Sequence, residues 1–92
     1  MEEVQVGQLV RSLAGRDQGR FYLIYDVLDE AFVRVIDGEK KRLKNPKKKN
    51  VKHLSFYSQM AVGIAEKLRT GQTVTEEEIV ESVKSLGLSH ED

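Results

Sequence analysis

The spacing of apolar residues changes its period part-way along the chain, and this change constrains the fold more than any other feature. In the first part, segments such as QLVRSLA (8–14) and AFVRVI (31–36) alternate along their length. A period of two is typical of strands that bury one face. From 58 to 69, apolar residues recur three and four positions apart, which is typical of a helix. The sequence therefore predicts a β-rich domain over residues 1–55, followed by a two-helix element over 56–92.

The β-rich part is predicted to hold about five short strands. The strongest strand signal is RFYLIYDVL (20–28), which is rich in aromatic and β-branched residues. Tight turns are predicted at Asp29-Glu30 and Asp37-Gly38, and further strands at 40–43 and 51–54. Short strands with tight connections favour a small antiparallel barrel, because closure removes most of the exposed sheet edge.

Two short helices are predicted in the second part. The first ends before Gly71, and the second begins with a capping box formed by Thr75 and Glu78. The second helix carries an apolar stripe that includes Ile79, Val83 and Leu86. We expect this stripe to pack on the barrel or on the first helix, and the alternative is that it binds a partner protein. The tail LSHED (88–92) is predicted to be frayed.

Positive charge is concentrated in one segment although the chain has no net charge. Residues 1–55 carry 12 basic and 8 acidic side chains, a balance of +4, whereas residues 56–92 carry 3 and 7, a balance of −4. Between Lys40 and Ser55 there are eight lysines or arginines and no acidic residue. Such a cluster is typical of a surface that contacts phosphate groups. Lysine predominates, which suits phosphate contact better than bidentate base readout.

Two alternative roles for the basic segment stay open. Lysines protect a sheet edge from pairing with another chain, and a basic cluster also attracts anionic lipid. The chain has no amphipathic anchor or lipidation signal, so no membrane contact is expected. Lys47, Lys48 and Lys49 follow Asn45-Pro46 and are expected on an exposed loop. Tyr22 or Phe32 would stack on an unpaired base only if its ring is exposed.

No pattern in the sequence indicates catalysis. The chain has no cysteine, and its two histidines are His53 and His90. No nucleophile elbow, zinc-protease motif or calcium loop is present. Four acidic residues near the central hairpins raise the question of a metal ion, but turns commonly use such residues. These four are Asp26, Asp29, Glu30 and Asp37. We expect no enzyme activity, cofactor, metal or small-molecule substrate. With no secretory signal or long apolar run, a cytoplasmic protein is expected.

Residues 4–54 resemble the KOW domain, specifically that of the single-KOW large-subunit ribosomal proteins of eukaryotes and archaea. The features that carry the resemblance are Gly7, the loop Gly15-Arg16-Asp17-x-Gly19, the strand ending Asp26-Val27, the turn Asp37-Gly38 and the basic residues leading into NVKHL (50–54). The resemblance implies an SH3-like barrel that binds ribosomal RNA, or sometimes a protein, through its loops. It also implies that Gly15, Asp17 and Gly19 shape the motif.

The sequence thus predicts an RNA-binding protein associated with the ribosome or translation, which contacts structured, ribosomal RNA. The residues expected to contact RNA are Arg16, Arg20, Lys40, Lys41, Arg42, Lys44, Lys47, Lys48, Lys49 and Lys52. The alternative is an adaptor of the transcription or translation machinery, which would bind a protein through the barrel or the acidic helices.

Overall fold

The computed structural model describes residues 4–88, which form a five-stranded antiparallel sheet followed by two helices. The elements are β1 (Gln8–Ser12), β2 (Phe21–Val27), β3 (Phe32–Ile36), β4 (Lys47–Asn50), β5 (Leu54–Met60), α1 (Val62–Thr70) and α2 (Glu76–Gly87), with a single 3₁₀ turn at Val51–His53. The strand order is β4-β3-β2-β1-β5. The predicted fold class, mainly β with five strands and two C-terminal helices, is confirmed. His90 and most of the tail predicted to fray lie outside the described residues.

The sheet is strongly curled, so that its inner face encloses an apolar core. In a flat sheet, β4 and β1 would lie three strand spacings apart, about 14 Å. Instead, the Nζ of Lys49 on β4 donates to the Oγ of Ser12 on β1 at 3.0 Å. The 3₁₀ turn helps to close the curl, because Val51 N–H donates to the carbonyl of Ala31 and Leu13 N–H to that of His53. The enclosed residues are Val10, Tyr22, Ile24, Val33, Val35 and Leu54.

The two helices cover part of the outer face of the sheet. Leu9, Phe21, Leu23 and Ile36 on that face pack with residues of both helices, including Ile64 and the α2 stripe of Ile79, Val83 and Leu86. Ile79 is fully buried, which stabilises the fold by roughly 1.5–3 kcal/mol. The sequence predicts that the stripe packs on the β-rich part or on the first helix, and its packing with residues of the sheet and of α1 confirms this. The capping box of Thr75 and Glu78 is also confirmed. The stripe is therefore occupied within the chain.

Three sequence-based boundaries are wrong. Residues 40–43 form turns instead of a strand, because the Asp37 carboxylate accepts hydrogen bonds from the backbone of the residues that follow it. Residues 51–53 form the 3₁₀ turn, and only Leu54 of the predicted 51–54 strand belongs to β5. The first helix begins at Val62, not at residue 58. β5 continues to Met60, with Phe56 packed on the inner cluster and Tyr57 on the outer one.

No helix within residues 4–88 is both long enough and apolar enough to cross a membrane.

Candidate nucleic-acid interface

The loop between β3 and β4, residues 37–46, carries four of the predicted cations and is organised by Asp37. One carboxylate oxygen of Asp37 accepts the backbone N–H groups of Glu39, Lys40 and Lys41 at 3.0, 3.0 and 2.8 Å. Burial by itself would raise the pKa of Asp37, but the hydrogen bond from Lys41 N–H, with those from Arg20 and Glu39 N–H, lowers it below its usual value. Asp37 is therefore a charged acceptor that fixes the backbone beneath Lys40 and Lys41.

The same loop is anchored to helix α2. The Glu76 carboxylate accepts the N–H of Leu43, with its two oxygens 3.3 and 3.1 Å from the nitrogen. Gly38 has φ +80°, and a Cβ there would lie 2.5 Å from the carbonyl oxygen of Glu76 and 2.8 Å from a methyl group of Val80. Both contacts bring the acidic N-terminal turn of α2 directly against the basic loop. Glu76 is not among the residues predicted from the sequence, since a contact between residues 33 positions apart leaves no local signal.

Most cations of the basic segment have no acidic partner among the described residues. Of the eight between Lys40 and Lys52, only Lys49 forms an ion pair within residues 4–88. The other seven are Lys40, Lys41, Arg42, Lys44, Lys47, Lys48 and Lys52. Lys40, Arg42, Lys44, Lys48 and Lys52 are exposed, while Lys41 and Lys47 are half-buried. We call these seven residues the basic surface.

The prediction that Lys47, Lys48 and Lys49 lie on an exposed loop is wrong, because all three belong to β4 and Lys49 lies in the interior. It lies opposite Val33 in the β3–β4 ladder, so its side chain points to the inner face, where it is 8% exposed. Its Nζ donates to Ser12 Oγ at 3.0 Å and to Asp17 Oδ1 at 2.8 Å. Lys49 is therefore a buried cation that is paired with Asp17.

Asp17 is the centre of this interior polar cluster. Besides the Lys49 ammonium, it accepts the hydroxyl of Ser12 at 2.8 Å and that of Tyr22 at 2.6 Å. Burial alone would raise the pKa of Asp17, but the hydrogen bonds from Lys49, Tyr22 and Ser12, with the charge of Lys49, lower it well below its usual value. Burial and the bond to Asp17 raise the pKa of Tyr22, so that its hydroxyl stays protonated and donates. Asp17 thus ties the β1–β2 loop to β4.

The two arginines of the β1–β2 region differ in their surroundings. Arg20 donates through Nε to Asp37 Oδ2 at 2.6 Å and through Nη2 to Glu39 Oε2 at 3.4 Å, so its charge is already compensated. It joins the β1–β2 loop to the 37–46 loop, which brings the two predicted basic regions to the same end of the sheet. Arg16 is exposed and forms no ion pair within residues 4–88. Arg16 is therefore the cation of this loop that is available to a ligand.

Gly15 and Gly19 set the path of the loop that carries Arg16. Both have a positive φ, +89° and +88°, which residues with a side chain rarely adopt. A Cβ built at either position would lie at least 3.7 Å from every atom except those of the glycine and its two neighbours in the chain. Their role in the fold is therefore to turn the backbone.

The outer face of β3 and β4 presents cations beside aromatic rings. The Lys48 ammonium lies 4.4 Å from the ring centroid of Phe32, and the Arg34 guanidinium 5.4 Å from that of Tyr25. Arg34 also forms a bidentate ion pair with Asp26, in which Nε donates to Oδ1 at 2.9 Å and Nη2 donates to Oδ2 at 2.5 Å. Tyr22, the other ring considered for base stacking, is fully buried. Phe32 is half-buried, so it is the aromatic residue of the two that solvent can reach.

Three of the four acidic residues considered for a metal have other contacts. Asp26 binds Arg34, Asp29 accepts the N–H groups of Ala31 and Phe32, and Asp37 accepts the backbone of its own loop. No three histidine, aspartate or glutamate side chains within residues 4–88 lie together in a way that would hold a metal ion. His53 is exposed on the 3₁₀ turn, and His90 lies outside the described residues.

In comparisons with known proteins, no family model matches the chain, and no curated protein matches it by sequence.

Proposed function

We propose that the protein binds RNA through the basic surface, with Arg16 as an additional contact. The observation that carries this proposal is the set of seven cations that have no acidic partner within residues 4–88. Gathering like charges on one loop and strand destabilises the free protein through repulsion, and a polyanion relieves that repulsion. The ordered backbone under Lys40 and Lys41 supports phosphate contact, because less conformational entropy is lost when a ligand binds.

Structured RNA, such as a ribosomal RNA fragment, is the polyanion that we favour. The cations of the basic surface are lysines with one exception, Arg42, and a lysine contacts phosphate as a point charge instead of reading a base edge. The curled five-stranded sheet is also compatible with the KOW-type barrel that the sequence resembles. We therefore propose a cytoplasmic KOW-like protein that acts on the ribosome or in translation, with recognition mainly of backbone shape.

Titration at several salt concentrations tests this proposal. Labelled ribosomal RNA fragments are titrated with wild-type protein and with a K40A/K44A/K52A variant, which removes three exposed cations that form no ion pair within residues 4–88. The slope of log K against log salt should become shallower by about 2–3 in the triple variant, because each phosphate contact contributes about 0.7–0.9 to that slope. A K84A variant is the matched control, since Lys84 is an exposed lysine on α2. Equal slopes in wild type and the triple variant would contradict the proposed surface.

A further inference from the structure

Phe32 differs from the other aromatic residues in its packing. All six phenylalanine and tyrosine residues lie within residues 4–88, and five of them belong to or pack on the two apolar clusters. Phe32 contributes to neither cluster and is half-buried on the outer face of β3. A strand position that places an aromatic ring outside the core leaves that ring available to a ligand.

Lysines of the basic surface lie close to the Phe32 ring, while the backbone N–H of Phe32 donates to the Asp29 carboxylate. Its outward direction follows from the register, in which Phe32 lies opposite Asn50 and its neighbour on the same face, Arg34, lies opposite Lys48. The Lys48 ammonium covers the ring at 4.4 Å from the centroid. The exposed Lys52 follows on the 3₁₀ turn, which is hydrogen-bonded to Ala31, the residue before Phe32. The ring is thus accessible in part and lies among cations of the basic surface.

We propose that Phe32 is a stacking site for one unpaired base of the bound RNA, and that Lys48 moves from the ring to an adjacent phosphate when the base arrives. This inference rests on the proposed RNA-binding function and adds to it that the RNA must offer a single-stranded base. Stacking of one base on an aromatic ring strengthens binding about 5- to 150-fold. An exposed cation–π contact is equivalent to only about 2- to 5-fold. A base therefore displaces the ammonium, which remains close enough to pair with the phosphate backbone.

The competing role for Lys48 is to shield Phe32 from contact with other proteins. β4 is at one end of the strand order, where exposed lysines discourage pairing with a second chain. In that case the ring has no ligand, and its removal leaves RNA affinity unchanged.

The experiment uses three labelled RNA probes of equal length with the full chain. They are a single strand, a blunt duplex, and a single strand whose bases are replaced by abasic riboses. Wild-type protein should bind the single strand at least about 5-fold more tightly than the abasic strand. F32L should lose that advantage while its affinity for the abasic strand and its salt slope stay unchanged. F32Y, which keeps an aromatic ring, should still bind the single strand more tightly than the abasic strand.

Lys48 supplies the complementary variant. K48A should reduce the salt slope by about 0.7 on the single strand, because it removes a phosphate contact and leaves the ring in place. The wild-type comparison of the base-bearing and abasic strands tests the inference without any variant, so a poorly folded F32L would not prevent a decision. Equal wild-type affinity for those two strands would overturn base stacking and leave phosphate binding standing. If wild-type protein bound none of the three probes, both proposals would be overturned.

Discussion

At the scale of single residues, Asp17 connects three strands. Its carboxylate accepts hydrogen bonds from Ser12 on β1, Tyr22 on β2 and Lys49 on β4. Asp17 and Lys49 are 15% and 8% exposed, so the pair is largely shielded from water. Removing one member of such a pair leaves the other charge buried without compensation, which is more destabilising than the pair itself is stabilising. The cluster is therefore sensitive to single substitutions.

A double-mutant cycle measures the coupling between these two residues. K49M and D17N should each lower the free energy of unfolding by about 2–4 kcal/mol, because each leaves a polar or charged group unpaired. In the double variant, the loss of unfolding free energy should be clearly smaller than the sum of the losses in the two single variants. Urea denaturation provides the measurement, and K44M, which alters an exposed lysine that forms no ion pair within residues 4–88, should change stability by less than about 0.5 kcal/mol. Strictly additive losses would show that the two side chains act independently.

Acid should weaken the same cluster in a defined range of pH. The folded-state pKa of Asp17 is lowered, so it lies below the unfolded-state value of about 3.9. Its contribution to stability is therefore complete above about pH 4 and is lost as the pH falls through the folded-state pKa. The difference in unfolding free energy between wild type and D17N should be constant near neutrality and should narrow below about pH 4. A difference that does not change across this range would argue against a lowered pKa.

Local sequence could not distinguish Lys49 from its neighbours. Lys47, Lys48 and Lys49 are identical in type, and pairing with β3 decides which face of the sheet each side chain lies on. Of the three, Lys49 alone is buried and forms an ion pair within residues 4–88. Asp37 differs in this respect, since an aspartate before glycine at a strand end commonly accepts backbone N–H groups, a signal that the sequence does contain.

At the scale of structural elements, the 37–46 loop depends on helix α2 for its position. Gly38 permits the close approach, and Glu76 binds the N–H of Leu43. Asp37 orders the residues between these two contacts from within the loop. The acidic helix therefore serves to hold the basic loop, in addition to covering the outer face of the sheet.

Two glycine substitutions should have opposite effects on stability. G38A should destabilise the protein by more than about 2 kcal/mol, because the backbone conformation is left-handed and the new Cβ would meet the backbone of α2 at 2.5 Å. G63A should stabilise it by about 0.5–1 kcal/mol, since Gly63 lies in α1 with no atom within 4 Å of a built Cβ. Thermal or urea unfolding of both variants provides the measurement. A neutral G38A would mean that α2 can move away from the loop at little cost.

The role of Glu76 can be separated from its charge. E76A should accelerate hydrogen exchange at the Leu43 amide roughly 10- to 100-fold, because a hydrogen bond to a charged acceptor contributes about 1.5–3 kcal/mol. E77A removes the same charge from the same helical turn, and Glu77 is exposed. It should leave the Leu43 amide unchanged. Similar exchange rates in the two variants would show that Glu76 does not position the loop.

At the scale of the whole molecule, both faces of one sheet are buried, the inner face by its curl and the outer face in part by the helices. The part of the outer face that remains open carries Phe32, Arg34 and Lys48. Acidic residues concentrate on α2, while the available cations concentrate on the 37–46 loop, β4 and the 3₁₀ turn. The neutral total therefore conceals a molecule with one basic surface.

The sequence predicted the larger features because they depend on periodicity and local signals. The alternation in β1–β3, the capping box of α2 and the turn at Asp37-Gly38 are each encoded within a few residues. The start of β4 and the ion pairs of Arg20 and Lys49 depend on strand register and on contacts between residues distant in the sequence. Two of the ten predicted RNA contacts, Arg20 and Lys49, therefore form ion pairs within the chain that the sequence did not predict.

The central claim is that the basic surface is where RNA binds, and mapping amide chemical shifts during an RNA titration tests it most directly. The structured ribosomal RNA fragment is added stepwise to labelled protein. We predict that the shifts concentrate on residues 39–52, with further changes at Arg16 and at 31–34, and that the exposed side of α1 and α2 stays unperturbed. Shift changes concentrated on the helices would contradict the claim. So would the absence of any shift change in a sample whose spectrum shows folded protein.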